Sequence, residues 1–212
     1  MLTNLFHDKL KTIRLDSNGF SYYYDGTSCD FHGVELDDLL IVLANQPSVA
    51  IPMEIYNADK QIDYLKIQYD VNEIGKIITT DFKDYVLLNF LPKDKAGIIE
   101  HYQGPIDFIP LFLYQMAHLF PIPEMLFLLD VKDKNMNCAF LIHEELQFIT
   151  HFKLNEDTDC LYHLMNICAQ YKIDPSLLDL YYSNLSESLL ALLKSYFTVS
   201  YLQKPNSNQN YL

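Results

Sequence analysis

The chain has 212 residues, half of them hydrophobic and a fifth charged, with a formal net charge of −13, sixteen Tyr, thirteen Phe, no Trp and six Gly. That composition supports a buried core and excludes global disorder. Arg14 is the single arginine, so the chain lacks the basic stripe and guanidinium forks with which proteins grip nucleic acids or anionic membrane surfaces.

Residues 11–25 read as a hairpin. Lys11 to Leu15 alternate, Asp16, Ser17, Asn18 and Gly19 are turn chemistry, and Phe20 to Tyr24 are strongly β-favouring. The apolar run 39–44, the turn at Asn45 to Pro47 and the strand 48–51 read as a second pair. Pro52 opens a predicted helix over 53–65 with Ile55, Ile62 and Leu65 as its apolar positions. A buried strand follows at 86–90, then a helix over 92–102 with Pro in its first turn, a short strand at 106–109 and a helix over 110–119. Pro121 and Pro123 break the chain and mark the expected boundary between a first lobe, 1–120, and a second, 121–202, with a polar tail at 203–212.

Beyond that boundary the pattern predicts a strand at 125–131 and a hairpin of 136–142 with 146–152 about His143, Glu144 and Glu145. A helix over 157–171 follows, capped by Asn155, with Glu156, Asp157 and Asp159 complementing its positive end. Its positions Leu161, Leu164, Met165 and Cys168 have the i, i+3, i+4, i+7 spacing of a core stripe. A strand at 177–182 leads to Asn184 and Glu187, spaced as a capping box, for a helix whose buried face is Leu189, Leu192, Leu193 and Tyr196. A last strand is expected at 197–201. The second lobe therefore reads β-β-β-α-β-α-β, the ribonuclease-H-like order. The first lobe starts with the same hairpin and then alternates strands and helices, so the expected fold class is α/β, two ribonuclease-H-like lobes in tandem with mixed sheets flanked by helices.

On this order, and on Gly19, Phe20 and Ser21 in the first hairpin, Val49 to Pro52, Leu129 to Val131, Asn155 to Tyr162 and Tyr181 to Leu185, the chain resembles a bacterial family of domain-of-unknown-function proteins with a degenerate actin-like ATPase fold. The resemblance spans most of the chain. It implies an actin-like fold and a cytoplasmic bacterial protein, with no established activity. It also implies a remote similarity in fold to the cytoplasmic actin-like components of pilus and secretion platforms, which work through protein contacts.

Active actin-like ATPases hold nucleotide and Mg²⁺ between two Asp-containing turns, with glycines that let the backbone approach the phosphates and the adenosine. The matching positions here are Asp16, Ser17 and Gly19 in the first turn, Asp130 opening a second turn through Asp133, and Ser183 with Asn184 at the adenosine turn. The first turn keeps an Asp and a Gly. The second keeps its Asp without Gly, and the third has no Gly. Glycine at average usage of about 7% would number roughly fifteen, and none follows Gly104. The deficit thus reads as lost nucleotide mechanics. No catalytic residue and no cofactor is expected; ATP with Mg²⁺ enters only under the alternative of a Mg-dependent ATPase or phosphotransferase.

Other chemistries are weaker in the sequence. A two-metal nuclease needs converging carboxylates, for which Asp16, Asp130 and Asp179 are the candidates, but the basic substrate groove is missing. Cys160, His163 and Cys168 lie on one helix without a fourth ligand for a soft metal, and two small buried cysteines beside a half-exposed His explain them as well. No G-x-S-x-G elbow occurs. The cysteines at 29, 138, 160 and 168 form no C-x-x-C pair. Lys9, Lys11 and Arg14 interrupt any apolar signal core, and the uncharged run 108–123 is too short and too rich in proline to span a membrane. The expected partners are another protein or a second copy, through surfaces rich in Tyr, with helices over both sheet faces as the simpler account of the aromatics.

Overall fold

A computed structural model of the chain describes residues 11–16, 19–22, 39–44, 48–67, 69–100, 105–119 and 121–202. Ser17, the residues 23–25 that end the expected first hairpin, and the tail 203–212 lie outside them. Contacts divide the chain into two compact units, Met1–Tyr114 and Gln115–Leu212.

The first unit opens with the expected hairpin of β1 (Lys11–Asp16) and β2 (Gly19–Tyr22). β3 (Leu39–Leu43) is buried at every position and lies parallel between β1 and β7 (Ile106–Pro110). An unbroken apolar run is what a strand covered on both faces requires. It also explains why β3 does not pair with β4 (Ser48–Pro52), as the sequence had led one to expect. β4 belongs to a separate antiparallel sheet of order β4-β6-β5, with β5 (Ile74–Phe82) and β6 (Tyr85–Pro92). β5 is β-favouring at Ile74, Ile77, Ile78, Thr79 and Thr80 but half-solvated, so it has neither an unbroken apolar run nor a clean alternation to mark it.

The predicted helix over 53–65 is broken. Tyr56 and Asn57 are extended, and the Asn57 side chain accepts from the Asp59 backbone N–H, starting a new turn there. A side-chain acceptor at that point competes with helix continuation, so Met53–Ile55 and Ala58–Lys60 are short 3-10 turns and only α1 (Gln61–Lys66) is α-helical, anchored by Leu65 in a cluster with Ile51, Val86, Leu88 and Phe90. α2 (Lys93–Glu100) packs Ala96 and Ile99 against the core of Ile13, Leu15, Leu39, Ile41 and Leu43. α3 (Leu111–Ala117) follows β7.

The second unit is built on one five-stranded sheet. β8 (Met125–Lys132), β9 (Asn135–Ile142) and β10 (Glu145–Lys153) form an antiparallel meander. After α4 (Asp157–Tyr171), β11 (Asp179–Tyr182) pairs parallel with β8. After α5 (Glu187–Leu193), β12 (Thr198–Tyr201) pairs parallel with β11. The order β10-β9-β8-β11-β12 is the ribonuclease-H-like arrangement. Alternate residues Phe127 and Leu129, and Met136, Cys138 and Phe140, face α4 and α5 across a core shared with Leu164, Cys168, Leu189 and Leu193.

Four expectations in this unit need correction. The second turn does not begin at Asp130. β8 runs on through Lys132, and Asp133 with Lys134 makes the turn, both at positive φ. The N-cap of α4 is Glu156, not Asn155. Glu156 forms a reciprocal capping box with Asp159, whose carboxylate accepts from the backbone N–H groups of both Asn155 and Glu156 and so lies below its ordinary pKa. The N-cap of α5 is Ser186, whose Oγ accepts from Leu189 N at 3.2 Å, because the Asn184 side chain is engaged elsewhere. Tyr196 is exposed and does not extend the buried face.

α4 ends on Lys172 in the left-handed region, φ 56°, with its N–H to Ala169 O and Ile173 N–H to Cys168 O. A Cβ is strained there and glycine is not. Lys172→Gly is expected to stabilise the protein by about 0.5–1 kcal/mol in urea unfolding; an unchanged or lower midpoint would refute this account of the cap.

Candidate functional site

The sequence positions Asp130, Ser183 and Asn184 are brought together in the second unit. Leu129 faces the core, so Asp130 projects to the opposite face of the sheet, where it is fully buried. Parallel pairing continues past the end of β11. Ser183 N donates to Leu129 O at 3.1 Å and Val131 N donates to Asn184 O at 2.9 Å. This backbone ladder sets both side chains beside the carboxylate. Ser183 Oγ and Asn184 Nδ2 each donate to Asp130 Oδ1 at 2.6 Å.

Three further residues extend the arrangement. Gln115 of α3 is buried, and its Nε2 donates to Ser183 Oγ at 3.1 Å and to Leu129 O at 3.4 Å. Asn137 lies directly across from Asp130 on β9, and His151 lies across from Asn137 on β10, with His151 Nδ1 3.0 Å from Asn137 Oδ1. Residues opposite one another share a face, so Asp130, Asn137 and His151 make a polar row across three strands. Burial lowers the His151 pKa from its ordinary value, so the ring is neutral at pH 7. The sequence reading missed Gln115, Asn137 and His151. Gln115 carried a usable signal, since it interrupts the uncharged run 108–123 in the middle of a helix. Asn137 and His151 carried none until strand register set them in line.

Asp16 and Gly19 are placed in the first unit, paired across the β1–β2 ladder. Thr12, Arg14 and Asp16 alternate with the core residues Ile13 and Leu15, and all five are buried. Arg14 Nε lies 3.0 Å from Asp16 Oδ2 within this face, both side chains nearly inaccessible. Ser21, opposite Arg14, shares the face. Gly19 has φ 113°, a conformation other residues rarely adopt, and an added Cβ there would stand 3.8 Å from Lys95 Nζ.

The other candidates separate. Asp179 is in register with Leu126, four residues along β8 from Asp130, or about 13 Å at strand rise, so the two carboxylates cannot share metal ions. Cys138, Cys160 and Cys168 are buried in the core. Burial pushes the Cys160 thiol up to about 12 and the Cys168 thiol up to about 11, and raises Cys138 well above its ordinary value, so all three are protonated at neutral pH and poor ligands. The His163 ring stacks on Phe152 at 3.9 Å and 4°. Among the described residues no group of three or more His, Cys, Asp or Glu is placed to share a metal, and no helix is long and apolar enough to cross a membrane.

Comparison with known proteins is consistent with this geometry. Residues 34–198 match the family described as Protein of unknown function (DUF3822), and the chain belongs to it. Among solved structures it is similar to a Bacteroides thetaiotaomicron protein of unknown function with an actin-like ATPase fold, at TM-score 0.69 and 16% identity over 92% of this chain and 90% of that one. It is also similar to a chain of the PilM–PilN type IV pilus biogenesis complex, at TM-score 0.53 and 10% identity over 80% of this chain and 70% of that one. The fold is thus the actin-like ATPase fold. No curated protein matches the chain.

Proposed function

We propose that this family member is a non-catalytic actin-like-fold protein of the bacterial cytoplasm that acts through protein–protein contacts. The observation that carries the reading is the engagement of Asp130. A carboxylate that positions Mg²⁺ must offer its oxygens to the ion and its waters. Asp130 is fully buried, and its Oδ1 takes two short hydrogen bonds from Ser183 and Asn184, side chains standing where a nucleotide turn carries glycine. The carboxylate of Asp16 faces the Arg14 guanidinium, whose charge opposes a cation at the same oxygens. The similarity in fold to a chain of a pilus biogenesis complex also favours protein contacts. In this reading the first unit is a trimmed second copy of the ribonuclease-H-like lobe, with the sheet β4-β6-β5 as its addition.

The test is thermal. ATP with Mg²⁺ at millimolar concentration raises the melting temperature of a protein that binds it, by mass action. The expected shift is zero within error. A rise of several degrees that Asp16→Asn and Asp130→Asn each remove would overturn the reading in favour of a Mg-dependent ATPase or phosphotransferase.

A further inference from the structure

We propose that the surface of residues 53–67 in the first unit docks a basic, apolar-anchored segment of a partner protein. This rests on the protein-contact reading above and names the surface and the chemistry of the partner. Of the eight large apolar side chains exposed among the described residues, four fall in these fifteen positions: Met53 at 46%, Ile55 at 61%, Ile62 at 49% and Ile67 at 79%. The other four are scattered, and three are Tyr, whose hydroxyl tolerates water. Aliphatic side chains have no such compensation, and four of them exposed within one short segment favour an interaction site there.

The segment is held firmly. Tyr64 Oη donates to Ile55 O at 2.9 Å and accepts from Asn57 N at 3.1 Å. Gln61 Nε2 donates to Tyr56 Oη at 2.6 Å and to Thr79 Oγ1 of β5 at 3.2 Å. The Tyr56 and Tyr64 rings stack, and Leu65 is fully buried beneath. Binding therefore costs little ordering of this side of the interface.

Charge selects the partner. Glu54, Asp59, Asp70 and Glu73 are exposed on or beside the segment, against Lys60; Asp63 and Lys66 pair with each other at 3.1 Å. The rim is therefore acidic. A second copy of this chain, at −13, would bring like charge, whereas a basic segment would be drawn in and held by its apolar side chains.

The test uses the full chain and a fluorescein-labelled amphipathic peptide of twenty Leu and Lys residues, read by anisotropy at 150 mM salt. Micromolar binding is expected, weakened at least tenfold by the combined substitution Ile55→Ser, Ile62→Ser and Ile67→Ser and unchanged by Leu177→Ser. The matching Leu and Glu peptide should not bind. A melting temperature for each variant confirms that the fold is kept. No binding to the wild type, equal binding to the triple variant, equal binding of the acidic peptide, or a wild-type dimer in sedimentation that the triple variant lacks would each overturn the proposal. If one of these occurs while ATP with Mg²⁺ leaves the melting temperature flat, this surface falls and the protein-contact reading stands.

Discussion

Asp130→Ala is expected to lower the melting temperature by roughly 6–12 °C. The substitution removes the acceptor of two 2.6 Å hydrogen bonds and leaves Ser183 Oγ and Asn184 Nδ2 without it beside a fully buried position. Gln115, bonded to Ser183, loses its setting as well. Hydrogen bonds to a charged group contribute about 1.5–3 kcal/mol, and half-buried Ser183 and exposed Asn184 turn to water once the acceptor is gone, which keeps the loss at the lower end. A total of about 3 kcal/mol at about 2–4 °C per kcal/mol for a chain of this size yields that range. The sign separates the two functional readings. A carboxylate kept for a ligand is a liability to the free protein, and removing it leaves stability unchanged or raises it. An unchanged or higher melting temperature for Asp130→Ala would therefore remove the main support for the non-catalytic reading.

The second large effect is at a glycine. Gly75 sits in β5 where the register shifts between Ile74 and Lys76, against the start of α2. A Cβ there would stand 2.8 Å from Ala96 Cβ, 2.8 Å from Lys93 Cα and 2.9 Å from Lys93 N. Two of those atoms are backbone at the head of a helix and cannot rotate aside. Gly75→Ala should therefore push α2 off β5, at a cost of about 2–3 kcal/mol, or roughly 5–10 °C. Gly97→Ala, on the same helix, meets nothing within 4 Å and lies inside α2. It should stabilise by about 0.5–1 kcal/mol through helix propensity. Urea unfolding of both variants checks the pair, and a Gly75→Ala midpoint equal to wild type would show that this contact yields.

The same geometry changes what the glycine deficit means. Lys83, Asp133, Lys134, His143, Glu144 and Lys172 all occupy positive φ. These are three hairpin turns and one helix end, the ordinary places for glycine. Part of the deficit is thus local to two hairpin turns and a helix end outside the candidate site, while Asp133 and Lys134 make the second candidate phosphate turn itself, with about 1 kcal/mol of strain at each such position. What bears on nucleotide binding is the surroundings of Asp130 and Asp16, not the number of glycines.

The sequence by itself determined most of the elements of the second unit, with α4 misplaced only at its N-cap. The stripe expected at 161, 164, 165 and 168 is half right, with Leu164 and Cys168 buried beside Cys160 and Ile167 and with Leu161 and Met165 half-buried; such local periodicity, like the alternation at 138, 140 and 142, follows from helix and strand geometry alone. Only the tertiary structure decided pairing and environment. β3 went to β1 and β7 and not to β4, because its apolar run demanded cover on both faces. The helix over 53–65 broke at Asn57, where a side chain outcompeted the backbone. Asp130 was legible as a residue that matters, but not as the acceptor of Ser183 and Asn184 or as the neighbour of Asn137 in a row that ends at His151. Those side chains come from β8, β9, β10 and the end of β11, and strand register, set by contacts remote in sequence, places them on one face.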